Sequence, residues 1–322
     1  MKTSTVIAIL IGVLLSFASI ASAAGYLWAQ DAGDRPAQAR DLPSIWPSKN
    51  GQVPRAVAMP AGEMVAALPP ESSAHVLCQA LSRQRWEAVL GSPTLREALD
   101  GSCHVVTGSL EVFLRLDGTP APLQNPDPVT VDGHKGEIES VSPQVNSRLN
   151  LRLVDAEPSA QVKPFLQIAV SGTAKQPLDE LTKSIATAIV HATMTPGPAV
   201  PTTSKDGTIP GQRMEPVPQH GIVDAPWPMI SWQLCTALTG ELGGSGKPRM
   251  DGQCTVRGVK AVFSEGTSPR VYPDTLAGRP ALVTGDLVAV KLTDDSTQEL
   301  TLTGDTNLRR LAEAVLPRLL GR

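Results

Sequence analysis

The sequence predicts an α+β fold made of two tandem repeats of one small domain. Each repeat has an antiparallel sheet, an N-terminal and a C-terminal helix on one face, and one disulfide. Three features of the chain point to this. A pentapeptide recurs, Leu77-Cys78-Gln79-Ala80-Leu81 and Leu234-Cys235-Thr236-Ala237-Leu238. Each copy leads to a second cysteine in the same setting, Gly101-Ser102-Cys103-His104-Val105 and Gly252-Gln253-Cys254-Thr255-Val256. Each half then closes on apolar residues at helical spacing, Leu178, Leu181, Ile185 and Ile189 in one and Leu308, Leu311, Val315 and Leu319 in the other. Such spacing draws one apolar stripe along a helix. Landmarks agreeing in series mark an internal repeat.

The elements follow in order. The first cysteine of each copy sits in an opening helix, which SRQRWEAVLG extends in the first half and TGELGG in the second. The second cysteine lies on the first strand. The pattern Pro-x-Thr-x-x-Gly plus a basic side chain then recurs at Pro128–His134 and Pro273–Arg279. Alternating segments follow, LNLRLVD and FLQIAVSG in the first copy and LVAVKLTDD and QELTLTG in the second. Short connections favour antiparallel pairing. The order reads as helix, five strands, helix. Two helices cannot cover both faces of such a sheet, so a two-layer sandwich is expected, with residues such as Arg152, Lys291, Thr301 and Thr303 on the open face. A copy that folds as a unit satisfies its own cysteines, which selects Cys78–Cys103 and Cys235–Cys254. Loops of that length correspond to about 3 kcal/mol each. A zinc site built from four cysteines requires closely spaced cysteine pairs, which the chain lacks.

Proline marks the boundaries. Residues 31–72 hold seven prolines and residues 195–226 seven more, a tether and a linker that bracket repeats at 73–194 and 227–322. The repeats are beads on a flexible string unless their faces adhere. Residues 1–30 carry no charge after Lys2. They fit a cleaved signal peptide with its apolar region at Val6–Phe17 and a small-residue site at Ala21-Ser22-Ala23. An uncleaved anchor using about 20 to 24 of these residues, with Tyr26 and Trp28 at the interface, fits better, since the apolar stretch continues past that site. Both place everything after Asp31 outside the cytoplasm, where four cysteines mean disulfides. A net charge of −3 gives no electrostatic case for nucleic acid.

A cysteine in an opening helix, a second on a strand after glycine, an antiparallel sheet and a closing amphipathic helix resemble small secreted and lipid-anchored envelope proteins of actinobacteria. The aromatic content of 3% is compatible with that source. The resemblance covers both copies and neither the tether nor the linker. It implies an envelope location and brings no catalytic residues with it. The chain departs from the pattern by lacking a cysteine after the apolar run and by carrying two copies.

Motifs for chemistry are sparse. Gly243-Gly244-Ser245-Gly246-Lys247 imitates a phosphate loop, but Glu241 and Pro248 stand where that motif needs Gly and Ser or Thr. A helix-to-strand turn is the better reading. The five histidines are isolated in sequence, and no Gly-x-Ser-x-Gly elbow occurs. Asp294, Asp295 and Asp305 read as solvated turn residues rather than a calcium loop. Neither a metal nor a cofactor is expected. The candidate ligand contacts are His134 and Arg279, basic side chains at matched turn positions suited to an anion, and Trp227, between prolines at the linker exit. The expected function is an extracytoplasmic envelope protein that binds a protein, lipid or wall-polymer partner without catalysis, since two weak sites on one chain gain avidity. One alternative makes one repeat a hydrolase-type enzyme, for which His104 opposite Thr255 is the polar difference. Another makes the chain a sensor or regulator of a membrane complex.

Overall fold

The computed structural model describes residues 51–142, 145–266 and 270–322. The signal or anchor at 1–30 lies outside them. Among the described residues no helix is long and apolar enough to cross a membrane.

The protein is α+β, with two antiparallel sheets of seven strands each. The first repeat runs α1 (Pro70–Gln79), α2 (Arg83–Leu90), β1 (Leu95–Leu99), β2 (Ser102–Val106), β3 (Leu110–Asp117), β4 (Asp127–Val131), β5 (His134–Ser142), β6 (Asn146–Arg152), β7 (Phe165–Gly172) and α3 (Leu178–Thr193). The second runs α4 (Trp227–Leu242), β8 (Lys247–Arg249), β9 (Gln253–Val256), β10 (Val259–Glu265), β11 (Asp274–Leu276), β12 (Arg279–Val283), β13 (Leu287–Lys291), β14 (Gln298–Thr303) and α5 (Leu308–Leu319). The strand orders are β1-β2-β3-β7-β6-β5-β4 and β8-β9-β10-β14-β13-β12-β11, the same topology twice.

The expected count of five strands is therefore corrected to seven. The strands missed are short or flank turns, and three to five residues display too little alternation to register. Four hairpins turn on two residues with positive φ: Asp100-Gly101, Asp132-Gly133, Arg257-Gly258 and Ala277-Gly278. Such turns match the right-handed twist of the strands they join. Their recurrence explains why glycine stands before His134 and Arg279.

Alternation fixes the core. On β3, Leu110, Val112, Leu114 and Leu116 are buried, while Glu111, Phe113, Arg115 and Asp117 face the other way. These inward residues join Ile168, Leu149, Leu77, Leu181 and Ile185 in one apolar cluster. An equivalent cluster gathers Phe263, Leu300, Leu234 and Val315 in the second repeat. α1 packs on β2 and β3, and α3 on β6 and β7. Cys78–Cys103 ties α1 to β2, and Cys235–Cys254 ties α4 to β9. Gly246, in the phosphate-loop look-alike, sits against the second bridge. A Cβ there would approach Cys235 Sγ to 2.7 Å and Cys254 Sγ to 3.0 Å.

The chain from β3 to β4 crosses the face opposite that core. Gln167 on β7 donates to Thr119 O, Asn150 on β6 donates to Ala121 O, and Glu139 on β5 accepts from the N–H groups of Gln124 and Asn125. In the second repeat Glu299, which matches Gln167, accepts from Arg270 Nη1 and Tyr272 Oη at 2.9 and 2.6 Å.

The repeats adhere. From residue 51 the tether lies on the first repeat, because Val57, Met64, Val65, Ala66 and Leu68 are buried. The linker is a strap. Gly62 N–H donates to Thr195 O, Met250 N–H to Gly207 O and Ile222 N–H to Leu319 O. Gly197 permits the first of these contacts, since a Cβ there would meet Gly62 N at 2.6 Å. Met64 of the tether and Val162 of the first repeat join Ile209 of the strap and Trp232 and Met250 of the second in a third apolar cluster. Trp232 belongs to this seam, its indole N–H donating to Pro210 O at 2.8 Å.

Candidate functional site

A polar network is buried where the repeats meet, and it begins with a helix that cannot cap itself. Two prolines open α1, and its N-cap Pro69 offers no side-chain acceptor. A helix start leaves backbone N–H groups without partners. The second repeat supplies one, because Glu71 N–H donates to Glu265 Oε2 at 2.9 Å. Glu265 pairs with Gln298 across β10 and β14, at positions where β3 and β7 pair Leu116 with Leu166. The repeat thus exchanges an apolar core pair for a polar one at the position that meets its neighbour.

Arg55 is the centre of the network. Its Nε and Nη2 reach the two oxygens of Asp224 at 3.0 and 2.7 Å, and its Nη1 reaches Glu71 Oε1 at 2.8 Å. Nη1 also lies 2.6 Å from His75 Nε2. A guanidinium only donates, so Nε2 accepts and the ring is neutral. Asp224 further accepts from Ser72 Oγ at 3.1 Å and Gln298 Nε2 at 3.0 Å. Glu71 Oε2 accepts from Thr297 N–H and Oγ1 at 3.0 and 2.6 Å. Asp224, Ser72, His75 and Gln298 are buried. Each hydroxyl, amide and carboxylate named here therefore meets a partner across or beside the seam.

Burial shapes the titration. Burial works against the Arg55 charge, but Asp224 and Glu71 outweigh it and raise the pKa. Burial and the nearby Arg55 depress His75 to about 4. Burial lifts Glu265 to about 7 against the pull of the α1 amides. The last two shifts act on stability with opposite sign. A carboxyl near 7 in the fold against 4.5 unfolded gives stability that is complete below pH 4.5 and lost as the pH rises to 7. An imidazole near 4 against 6.5 gives stability that is present above pH 6.5 and lost as the pH falls to 4. Between 4.5 and 6.5 they offset one another. His75→Gln is expected to leave a stability that climbs on acidification from 7 to 4.5, and Glu265→Gln one that declines from 6.5 to 4. Urea midpoints across this range read the slopes, and two parallel profiles contradict the assignment.

Beside the network lies a cavity of about 180 Å³. Arg55, Ala56, His220, Asp224, Arg279 and Arg322 are among the residues that line it. Arg279 begins β12. Its Nη1 is 3.5 Å from a well-exposed Asp294 carboxylate, and among the described residues its Nε has no hydrogen-bond partner. Arg322 Nη1 donates to Ala277 O at 3.2 Å. Burial depresses the pKa of His220.

The other sequence candidates sit elsewhere. His134 opens β5, with Nδ1 3.3 Å from Arg152 O. Trp227 stands edge-on to Phe263, centroids 5.6 Å apart, with its ring over Gly252. His104 is edge-on to Phe113 on the open face of the first sheet. Sequence reasoning missed Arg55, Glu71, His75, Asp224, Glu265 and Gln298. A signal was available for two of them, because Glu265 and Gln298 are polar residues at inward positions of strands whose other inward residues are apolar. Compared with protein-family models, with curated proteins and with solved structures, the chain matches none.

Proposed function

We propose that the protein works in the cell envelope, outside the cytoplasm, as a binding protein whose ligand sits at the junction of its two repeats. The observation that carries this reading is the 180 Å³ cavity walled by residues of the tether, the strap and the second repeat. A pre-formed concavity with a few convergent polar groups is the usual form of a small-molecule site. The two disulfides support the compartment, since such bonds persist in oxidising surroundings. In this reading each repeat is a two-layer unit with both helices on its apolar face, and the likeness to actinobacterial envelope proteins extends to location and not to a shared ligand. The neighbouring network acts as a brace, since Ser72 donates to Asp224 and His75 accepts from Arg55.

The test is occlusion. Ala56→Trp sets an indole in place of a small lining residue without altering the charges of the cavity. Full-length protein is immobilised and exposed to an envelope extract of proteins, lipids and wall polymers. A species retained by the parent and not by Ala56→Trp is the expected result. Equal retention by both removes the junction as the site, and turnover of an ester or glycan in the same extract favours a hydrolase repeat.

A further inference from the structure

Resting on the reading of the junction cavity as a binding site, we propose that its ligand presents a small oxyanion, a phosphate or carboxylate group, clamped by Arg279 and Arg322. The charge balance of the walls leads there. Among the described residues Asp224 is the one acidic side chain in the lining, and its oxygens are engaged by Arg55, Ser72 and Gln298. Arg55 in turn is held by Asp224 and Glu71. Of that set only Arg55 and Asp224 line the cavity, one charge of each sign, while the Glu71 carboxylate is held outside the lining by Thr297. Burial works against a charge on His220 by depressing its pKa.

Two guanidinium groups are left to set the potential. Among the described residues Arg279 has one carboxylate in reach, that of Asp294, whose side chain is 83% exposed. An exposed pair of that kind is worth little and yields readily to a better acceptor. The buried Nε–H of Arg279 has no acceptor among the described residues. A buried donor without a partner carries a desolvation cost that a ligand oxygen would remove. Arg322 spends one nitrogen on Ala277 O, and its fork has further donors. Planar guanidinium groups match carboxylate and phosphate in a bidentate manner. Size agrees. Pockets for drug-sized ligands span roughly 300–1,000 Å³, so a cavity of about 180 Å³ holds a head group or a small metabolite rather than a whole lipid or glycan.

Isothermal titration of the full-length chain in neutral detergent tests this with three probes: inorganic phosphate, succinate and a short-chain phosphatidylglycerol. Saturable binding of at least one is expected. Arg279→Gln should weaken it about tenfold or more, as befits a lost charge-assisted hydrogen bond. Arg148→Gln, an exposed arginine of the first sheet, should leave it unchanged. Phosphate binding without phosphatidylglycerol identifies a free phosphate, the reverse identifies a lipid head group, and succinate alone identifies a carboxylate. All three satisfy the proposal. It is overturned if none of the probes binds, or if Arg148→Gln weakens binding as much as Arg279→Gln. An unchanged melting temperature in Arg279→Gln guards against misfolding. Should the extract species be lost with Ala56→Trp yet kept with Arg279→Gln, the binding function stands and the oxyanion falls.

Discussion

Arg55→Ala is expected to lower the unfolding free energy by about 3–5 kcal/mol, the cost of stripping one partner from a buried ion pair. The guanidinium is 12% exposed and the Asp224 carboxylate 1%. Removing the cation leaves Asp224 and Glu71 facing Glu265 without compensation. The same reasoning predicts a rescue. Asp224→Asn in the Arg55→Ala background should recover part of the loss, because the stranded charge is gone. Acidification should shrink the deficit too, as the remaining carboxyls take up protons. Urea denaturation followed by tryptophan fluorescence measures all three. Trp86 and Trp232 report from the first repeat and the seam. The parent should unfold in one transition and Arg55→Ala in two, as the repeats uncouple. A loss below about 1 kcal/mol, in the range of an exposed surface pair, would show that Arg55 does not brace the junction.

The second large effect belongs to the disulfides. Cysteine pairs 25 and 19 residues apart each restrict the unfolded chain by about 3 kcal/mol. Replacing Cys78 and Cys103 together by alanine, or Cys235 and Cys254 together, should cost about that much in either repeat. Chemical denaturation under non-reducing conditions provides the comparison. The second bridge has an additional signature. Gly246→Ala crowds the bridge in the parent, where overpacking costs roughly 1–3 kcal/mol, and should cost less once both sulfurs are gone, when of these contacts only the Cβ at position 235, 2.9 Å away, remains. Equal effects in the two backgrounds would mean that Gly246 is needed for some other reason.

These two results separate what the sequence displays from what it conceals. The disulfides were legible because duplication writes the same pentapeptide and the same Gly-x-Cys-x-Val twice. α3 and α5 were legible because their apolar stripes are long. β8 and β11 were not, since Lys247–Arg249 and Asp274–Leu276 are too short to alternate visibly. Arg279 was singled out from its matched turn, and it does line the cavity. The junction itself stayed hidden for a physical reason. Arg55 and Asp224 are 169 residues apart, each in a proline-rich stretch with no periodicity, and only the folded strap brings them together. Glu265 and Gln298 were the visible trace, as polar residues standing where their counterparts Leu116 and Leu166 are apolar.

The cap that Glu265 provides for α1 makes the order of synthesis matter. The first half leaves the ribosome well before residue 265 is made, so the newborn helix begins with an amide that only water satisfies and with Glu71 awaiting Thr297. A chain stopped after the first sheet would carry an open, frayed seam in place of a finished surface. Duplication has here become dependence, and neither half can be discarded, swapped or reordered without unmaking the other's edge.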